Sequence, residues 1–250
     1  MLKHKTTSVD GVVRCTRYAF GPNRLHLCGP DANKEVLAYL KEGVSDPGLE
    51  SLLRRFSTLY PYLQHIAQAN HIADPFNERV VEAYWIGNEL LEKISVQTFY
   101  RHLVDTLKLK ARGPRMRFNT LEAKLPRGAR MHHSWHVLNV YERTGHDRSL
   151  HTLESMDACR VSWGRISQID GPSLTVMRRP LRFEGDKLVL AAEQPFVVTR
   201  RLEDDFMDSP KVGDIVTMHW NIPCEVVSQK NIRWLEYYTL KHMALANATI

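Results

Sequence analysis

Three groups of cysteine and histidine carry the side chains in this sequence that could do chemistry. The first is Cys159, in the stretch MDACRVSWGRISQIDG at residues 156–171, which reads as a cysteine at the mouth of a half-buried strand that runs into a tight turn. A thiol there is a small buried hydrophobe, a soft metal ligand or a nucleophile. The second is His132, His133 and His136. On a helix, His132 and His136 share a face at i, i+4, and His133 and His136 at i, i+3, spacings that can hold a metal ion. On a strand, His132, Ser134 and His136 would share a face instead. No Glu follows the first His, so the zinc-protease pattern H-E-x-x-H is absent, and a core-packed or solvated cluster is the plain alternative. The third is the loop-like run Arg17 to Pro30, where two Gly-Pro pairs frame Asn23, Arg24, His26 and Cys28. Cys28 stands just before a helix expected to start at Asp31, whose dipole would lower its pKa. The alternative is a rigid loop with a buried cysteine.

The elements that must position these side chains divide by period. The first part of the chain is helical. Asp31 caps a helix through Glu42 with Gly43 as its stop; Leu49, Leu52, Leu53, Phe56, Leu59, Leu63 and Ile66 form a stripe that Pro61 must break. Asp74 and Pro75 open the next helix, Gly87 in its middle implies a close packing contact, and Ser95 caps another. Residues 111–129 read as a Gly/Pro connector, RMHHSWHVLNVYERTGH as a helix ending at Gly145, and residues 146–155 as an exposed polar linker. From Cys159 the period becomes two. Five or six short strands follow with turns at Asp170-Gly171, Glu184-Gly185 and Val212-Gly213-Asp214, ending in a helix capped by Asn231 with Ile232, Leu235, Tyr238, Thr239 and His242 on its inner stripe. The fold class expected is α+β in two domains: an α-helical domain over 1–155, then a small antiparallel, OB-like β-barrel over 156–250 with a closing C-terminal helix.

Composition narrows the classes of function. At 250 residues, with 43% hydrophobic and 25% charged residues, the chain has enough apolar material for a sizeable core. No run of about 18 apolar residues exists and the N-terminal segment has no apolar h-region, so no membrane span or secretory signal is expected and the expected compartment is the cytoplasm. Four cysteines at 15, 28, 159 and 224 include no C-x-x-C pair and are expected as thiols. The net charge of +6 permits an acidic partner, but basic residues are scattered and no nucleic-acid motif stands out, so no nucleic-acid partner is expected.

One order of residues points to a family. Cys159, Gly164, Ile166, Ile169-Asp170-Gly171, Val212-Gly213-Asp214, Val216, His219, Val226-Val227 and the C-terminal helix follow one another as in the small hydrogenase maturation chaperones of the HypC/HupF type, which residues 157–246 resemble. The resemblance implies that Cys159 and His219 hold iron, as an Fe(CN)2CO unit, working with a scaffold maturation protein or a hydrogenase large-subunit precursor. Thiolate and imidazole both suit such an ion. The whole chain, through Arg24 to Pro30 and Val80 to Leu91, also resembles an uncharacterised bacterial family. The function expected is therefore an accessory protein that binds and delivers iron or an iron-cofactor precursor in [NiFe]-hydrogenase assembly. The alternative is a metal- or haem-dependent enzyme using His132, His133 and His136, with haem or another transition metal as cofactor and Cys28 as a further candidate ligand. The third possibility is an assembly factor without bound metal.

Overall fold

A computed structural model describes residues 10–112, 114–140, 150–200 and 209–249. The helical part comprises α1 (Gly11–Arg24), α2 (Asn33–Glu42), α3 (Pro47–Arg54), α4 (Leu59–Ala69), α5 (Glu78–Trp85), α6 (Val96–Arg101), α7 (Leu109–Arg112), α8 (Arg115–Lys124), α9 (His133–Trp135) and α10 (Leu153–Cys159). Strands β1 (Ser162–Asp170), β2 (Ser173–Arg178), β3 (Leu181–Glu184), β4 (Lys187–Leu190), β5 (Gln194–Thr199), β6 (Ile215–His219) and β7 (Ile222–Val226) follow, and α11 (Gln229–Asn247) ends the chain. Among the described residues no helix is long and apolar enough to cross a membrane.

The sheet is open where a closed barrel was expected. Its antiparallel order is β5-β2-β1-β6-β7, and β3 and β4 form a separate two-stranded hairpin. Closure fails because the chain is pulled off the sheet after β2. The Asp157 carboxylate pairs with Arg178 at 3.0 Å and accepts the Leu181 N–H at 2.9 Å, tying the start of β3 to α10. Leu181, Leu188 and Leu190 then bury against Met156, Met243 and Ala246 rather than completing the sheet. β5 remains an edge strand, where Pro195 costs no ladder bond.

Several local expectations change. Residues 11–24, expected partly as a loop, are a helix capped by Asp10, whose carboxylate accepts from Val12 N and Val13 N. The helix expected at Asp31 begins at Asn33 with Ala32 at its cap, and Asp31 pairs with His26 instead. The chain breaks before Pro61, which sits in the first turn of α4, where a missing N–H costs nothing. Asn77, not Asp74, caps α5. Within the expected connector lies α8, burying Phe118 and Leu121. Gly87 ends α5 rather than interrupting it, at φ +98, with the Tyr238 ring 2.3 Å from where a Cβ would stand. Ser228 caps α11, and Asn231 is the third residue of the reciprocal capping box. Residues 141–145 of the expected histidine helix and 146–149 of the expected linker lie outside the described residues; Leu153 to Ser155 open α10.

One apolar core joins the two sequence halves. Tyr18, Tyr62, Tyr84, Trp85 and Trp135 from the helices bury in the same cluster as Val161, Cys224, Leu235 and Tyr238. A second cluster, with Ile166, Leu174, Val176, Val216 and Met218, covers the other face of the sheet. The helices and the strands therefore share a wall, and the side chains of interest stand on it.

Candidate metal centre

His219 ends β6 and is 2% exposed. Its Nδ1–H donates to the Tyr18 carbonyl at 2.6 Å. That carbonyl is free because the residue four places on in α1 is Pro22, which has no N–H to return to it. Gly21 beside it lets the helix come close: a Cβ there would stand 2.7 Å from the His219 carbonyl oxygen. With Nδ1 committed, His219 Nε2 is buried and makes no hydrogen bond among the described residues. Burial holds the His219 pKa at about 4, opposed by the Tyr18 and Cys159 carbonyls. The Cys159 carbonyl could accept only from the charged ring, which burial suppresses, so Nε2 keeps its lone pair.

Cys159 comes to this lone pair from a helix end, not from a strand mouth. It is the last residue of α10. The β6–β7 hairpin turns through Trp220 and Asn221 at φ 51 and 61, both left-handed, as a two-residue turn of this kind requires. Such a backbone is costly for tryptophan. The Trp220 N–H donates to the Ala158 carbonyl at 2.7 Å, which clamps the end of α10 against the tip of β6.

His133 supplies the third donor. It opens α9 and packs against Trp85, with ring centroids 4.6 Å apart and planes tilted by 51°. Its Nε2 lies 2.8 Å from the Cys159 carbonyl and 3.9 Å from Cys159 Sγ, and its Nδ1 lies 3.2 Å from the Tyr84 hydroxyl. In one tautomer Nε2–H donates to the carbonyl and Tyr84 donates to Nδ1. In the other, Nδ1–H donates to Tyr84 and Nε2 is released toward the thiol. Burial first, then the neighbouring His219, holds the His133 pKa well below the usual histidine range.

One ligand atom each from His133, Cys159 and His219 lies within 4.8 Å of the other two. Around a tetrahedral ion with bonds of about 2.0 Å to nitrogen and 2.3 Å to sulfur, neighbouring donors stand roughly 3.5 Å apart. The 3.9 Å edge between Cys159 and His133 is near that value, and a small side-chain rotation closes the rest. Each imidazole is oriented through Nδ1, His219 by a carbonyl and His133 by a hydroxyl, the support that metal-binding histidines normally have. Three protein donors leave a fourth position open. It faces a cavity of about 60 Å³ lined by Ala19, Pro22, Leu27, Phe56, Leu59 and Trp220 among others, with room for about four waters at most. The residues fit a single ion of borderline or soft character.

Cys159 and His219, expected together, meet here. His133 joins them from the histidine cluster, whose other two members do not. His136 lines the same cavity, but stands outside the donor group, with Nδ1 3.5 Å from the Tyr62 hydroxyl. The expected i, i+4 pairing fails because His132 precedes α9 as its cap and His136 begins a π-turn over His136–Val140. His132 belongs to another network. His242 Nε2 accepts the Arg130 N–H at 3.1 Å, so its Nδ1–H must donate to Ser134 Oγ at 2.8 Å, and Ser134 in turn donates to His132 Nδ1 at 2.7 Å. The lone pair of His242 points away from Ser134, and the acceptor of the serine proton is His132 Nδ1, whose pKa burial holds at about 3, which makes it a weak base. Cys28 lines the cavity wall, outside the donor group; burial pushes its thiol up to about 11, where a helix dipole was expected to lower it. Sequence reasoning passed over Tyr18, Pro22, Tyr84 and Trp85. Pro22 inside an apolar, helix-like run was the one available signal.

No curated protein and no solved structure matches the chain, and none of the comparisons connects residues 157–246 with the HypC/HupF-type chaperones. One family model does match, across residues 7–250, running unbroken through the boundary expected near residue 155. On that match the chain belongs to DUF6390, a family of unknown function.

Proposed function

We propose that this protein is an accessory factor that binds one transition-metal ion, iron foremost, between Cys159, His219 and His133, and passes it to a metalloenzyme. The observation that carries the reading is the buried lone pair of His219 Nε2, close to a thiol and a second imidazole, with no hydrogen bond to satisfy it among the described residues. Three donors rather than four suit a carrier. A structural site closes its coordination shell, whereas an open position lets an acceptor ligand enter before the carrier's ligands leave. A mixed thiolate and imidazole set favours iron, zinc or copper over magnesium or calcium. An Fe(CN)2CO unit destined for a [NiFe]-hydrogenase large-subunit precursor, with a scaffold maturation protein as partner, is the sharpest form of the proposal. A haem enzyme built on His132, His133 and His136 finds less support. His132 is committed to the separate Ser134–His242 network, and a porphyrin needs a pocket of several hundred cubic ångströms, against about 60 Å³ here.

The test is metal analysis on protein purified without oxygen, followed by loading with Fe(II), Zn(II) and Cu(I) in turn. About one tightly held ion per chain is expected, lost in Cys159→Ala and His219→Gln and kept in His132→Gln. Infrared bands of metal-bound CN and CO would establish the sharper form. A wild-type protein that retains none of the three metals would overturn the proposal.

A further inference from the structure

A second site lies beside the metal cavity, with which it shares His151 in its lining. Between α8, α10 and the β3–β4 hairpin the surface opens into a cleft of about 580 Å³, within the roughly 300–1,000 Å³ typical of small-molecule sites. Its floor holds Lys124, 1% exposed. Lys124 Nζ donates to Asn139 Oδ1 at 3.0 Å. Asn139 is itself fixed, because its Nδ2 donates to the His242 carbonyl at 3.1 Å. An ammonium group has three N–H donors, and one is used here. Among the described residues no carboxylate pairs with Lys124, and the charge nearest to it in effect is Arg127, of the same sign. A buried cation is normally paired, and leaving it unpaired costs several kcal/mol. Burial pulls Lys124 down to about 8, so the ammonium is still the main form at pH 7.

The walls above Lys124 are of a different character. Leu153 and Met156 from α10 line one side, and Leu150 and Phe183, 64% and 48% exposed, stand at the rim. No Asp or Glu lines the cleft among the described residues. We propose that this cleft binds an organic monoanion with an apolar body, a carboxylate on a hydrocarbon chain, whose head group pairs with Lys124 Nζ while its body covers Leu153, Met156 and Phe183. Arg117 also lines the cleft, but its Nη2 donates to the Val140 carbonyl, so Lys124 with the Asn139 amide supplies the head-group contact at the floor, a single ammonium that matches a monoanion. The proposal is independent of the metal centre, since no metal donor lines the cleft.

The experiment is isothermal titration calorimetry of the full chain with sodium octanoate, 1-octanol and octylamine. Octanoate should bind at least about 10-fold more tightly than either other probe, the value of one charge-assisted hydrogen bond. Lys124→Met should lose about 10-fold or more of the octanoate affinity, and Lys124→Arg should keep most of it. Because Lys124→Met removes an unpaired buried charge, it should fold with unchanged or raised thermal stability, and octanoate should raise the melting temperature of wild type alone. Octanol binding as well as octanoate, full octanoate affinity in folded Lys124→Met, or no octanoate binding at millimolar concentration would each overturn the assignment.

Discussion

His219 Nε2 is held in the form a metal ion needs. Its proton sits on Nδ1, in a bond of 2.6 Å to the Tyr18 carbonyl, and burial keeps the second proton off down to about pH 4. The strength of that arrangement depends on Pro22. In Pro22→Ala the new N–H would reach back to the Tyr18 carbonyl and compete with His219. We expect metal affinity to fall about 10-fold with little change in fold, read by competition with a chromogenic chelator; an unchanged affinity would show that the proline does not orient His219. Tyr84→Phe tests His133 in the same way, and a loss of about 10- to 100-fold is expected.

Helix α1 and the β6–β7 hairpin act as one clamp. Tyr18 OH donates to Glu225 Oε1 at 2.7 Å, and Arg14 donates to the same oxygen through Nε and Nη2 at 2.9 and 2.8 Å. Arg14 also reaches Glu82 at 3.1 Å, tying α5 to the pair. Removing one partner of such a nearly buried pair leaves the other charge uncompensated, so Glu225→Gln should cost about 2–4 kcal/mol, measured by denaturant unfolding. A cost below about 0.5 kcal/mol would mean that water has replaced the carboxylate. Gly21→Ala pits two effects against each other. Alanine favours a helix by about 1 kcal/mol over glycine. Its Cβ, 2.7 Å from the His219 carbonyl oxygen, must push α1 off the hairpin at a cost of about 1–3 kcal/mol. The overlap should win, lowering both stability and metal retention.

At the scale of the molecule, the buried histidines set the response to acid. His132 is held at about 3 and His219 at about 4, both mainly by burial, against about 6.5 in an unfolded chain. Their folded pKa lies below the unfolded one, so the fold binds fewer protons than the unfolded chain. Stability is then complete above about pH 6.5 and is lost as pH falls toward 4 and 3. By pH 5 each costs roughly 2 kcal/mol, and His102, His133 and His242, all pushed well below the usual range, act in the same direction. Against a total of about 5–15 kcal/mol this is decisive. The melting temperature of the metal-free protein should drop steeply between pH 6.5 and 5, before most carboxylates titrate. A flat profile across that range, by scanning fluorimetry, would contradict the buried neutral state of these rings.

Local order was legible in the residues themselves. Alternation from Val161 onward marked the strands, and the stripe from Ile232 to His242 marked the inner face of α11, because periods of 2 and 3.6 are written into neighbouring positions. The Cys159 and His219 pair entered through a resemblance that the comparisons do not support, and yet the fold brings the two together. Other features depended on contacts between distant residues. The barrel stayed open because Asp157 captures Arg178 and Leu181, an attraction that no period records. α8 hid between prolines and glycines although Phe118 and Leu121 already had helical spacing. Which of three adjacent histidines joins the thiol was settled by the cap at His132 and the π-turn at His136, which rotate the rings apart. The amino-acid order by itself determined which segments coil or extend and which side chains could hold an ion. Only the tertiary structure decided which donors converge, since convergence is set by the packing of α1, α9, α10 and β6 against one another, and such long-range packing leaves no local mark.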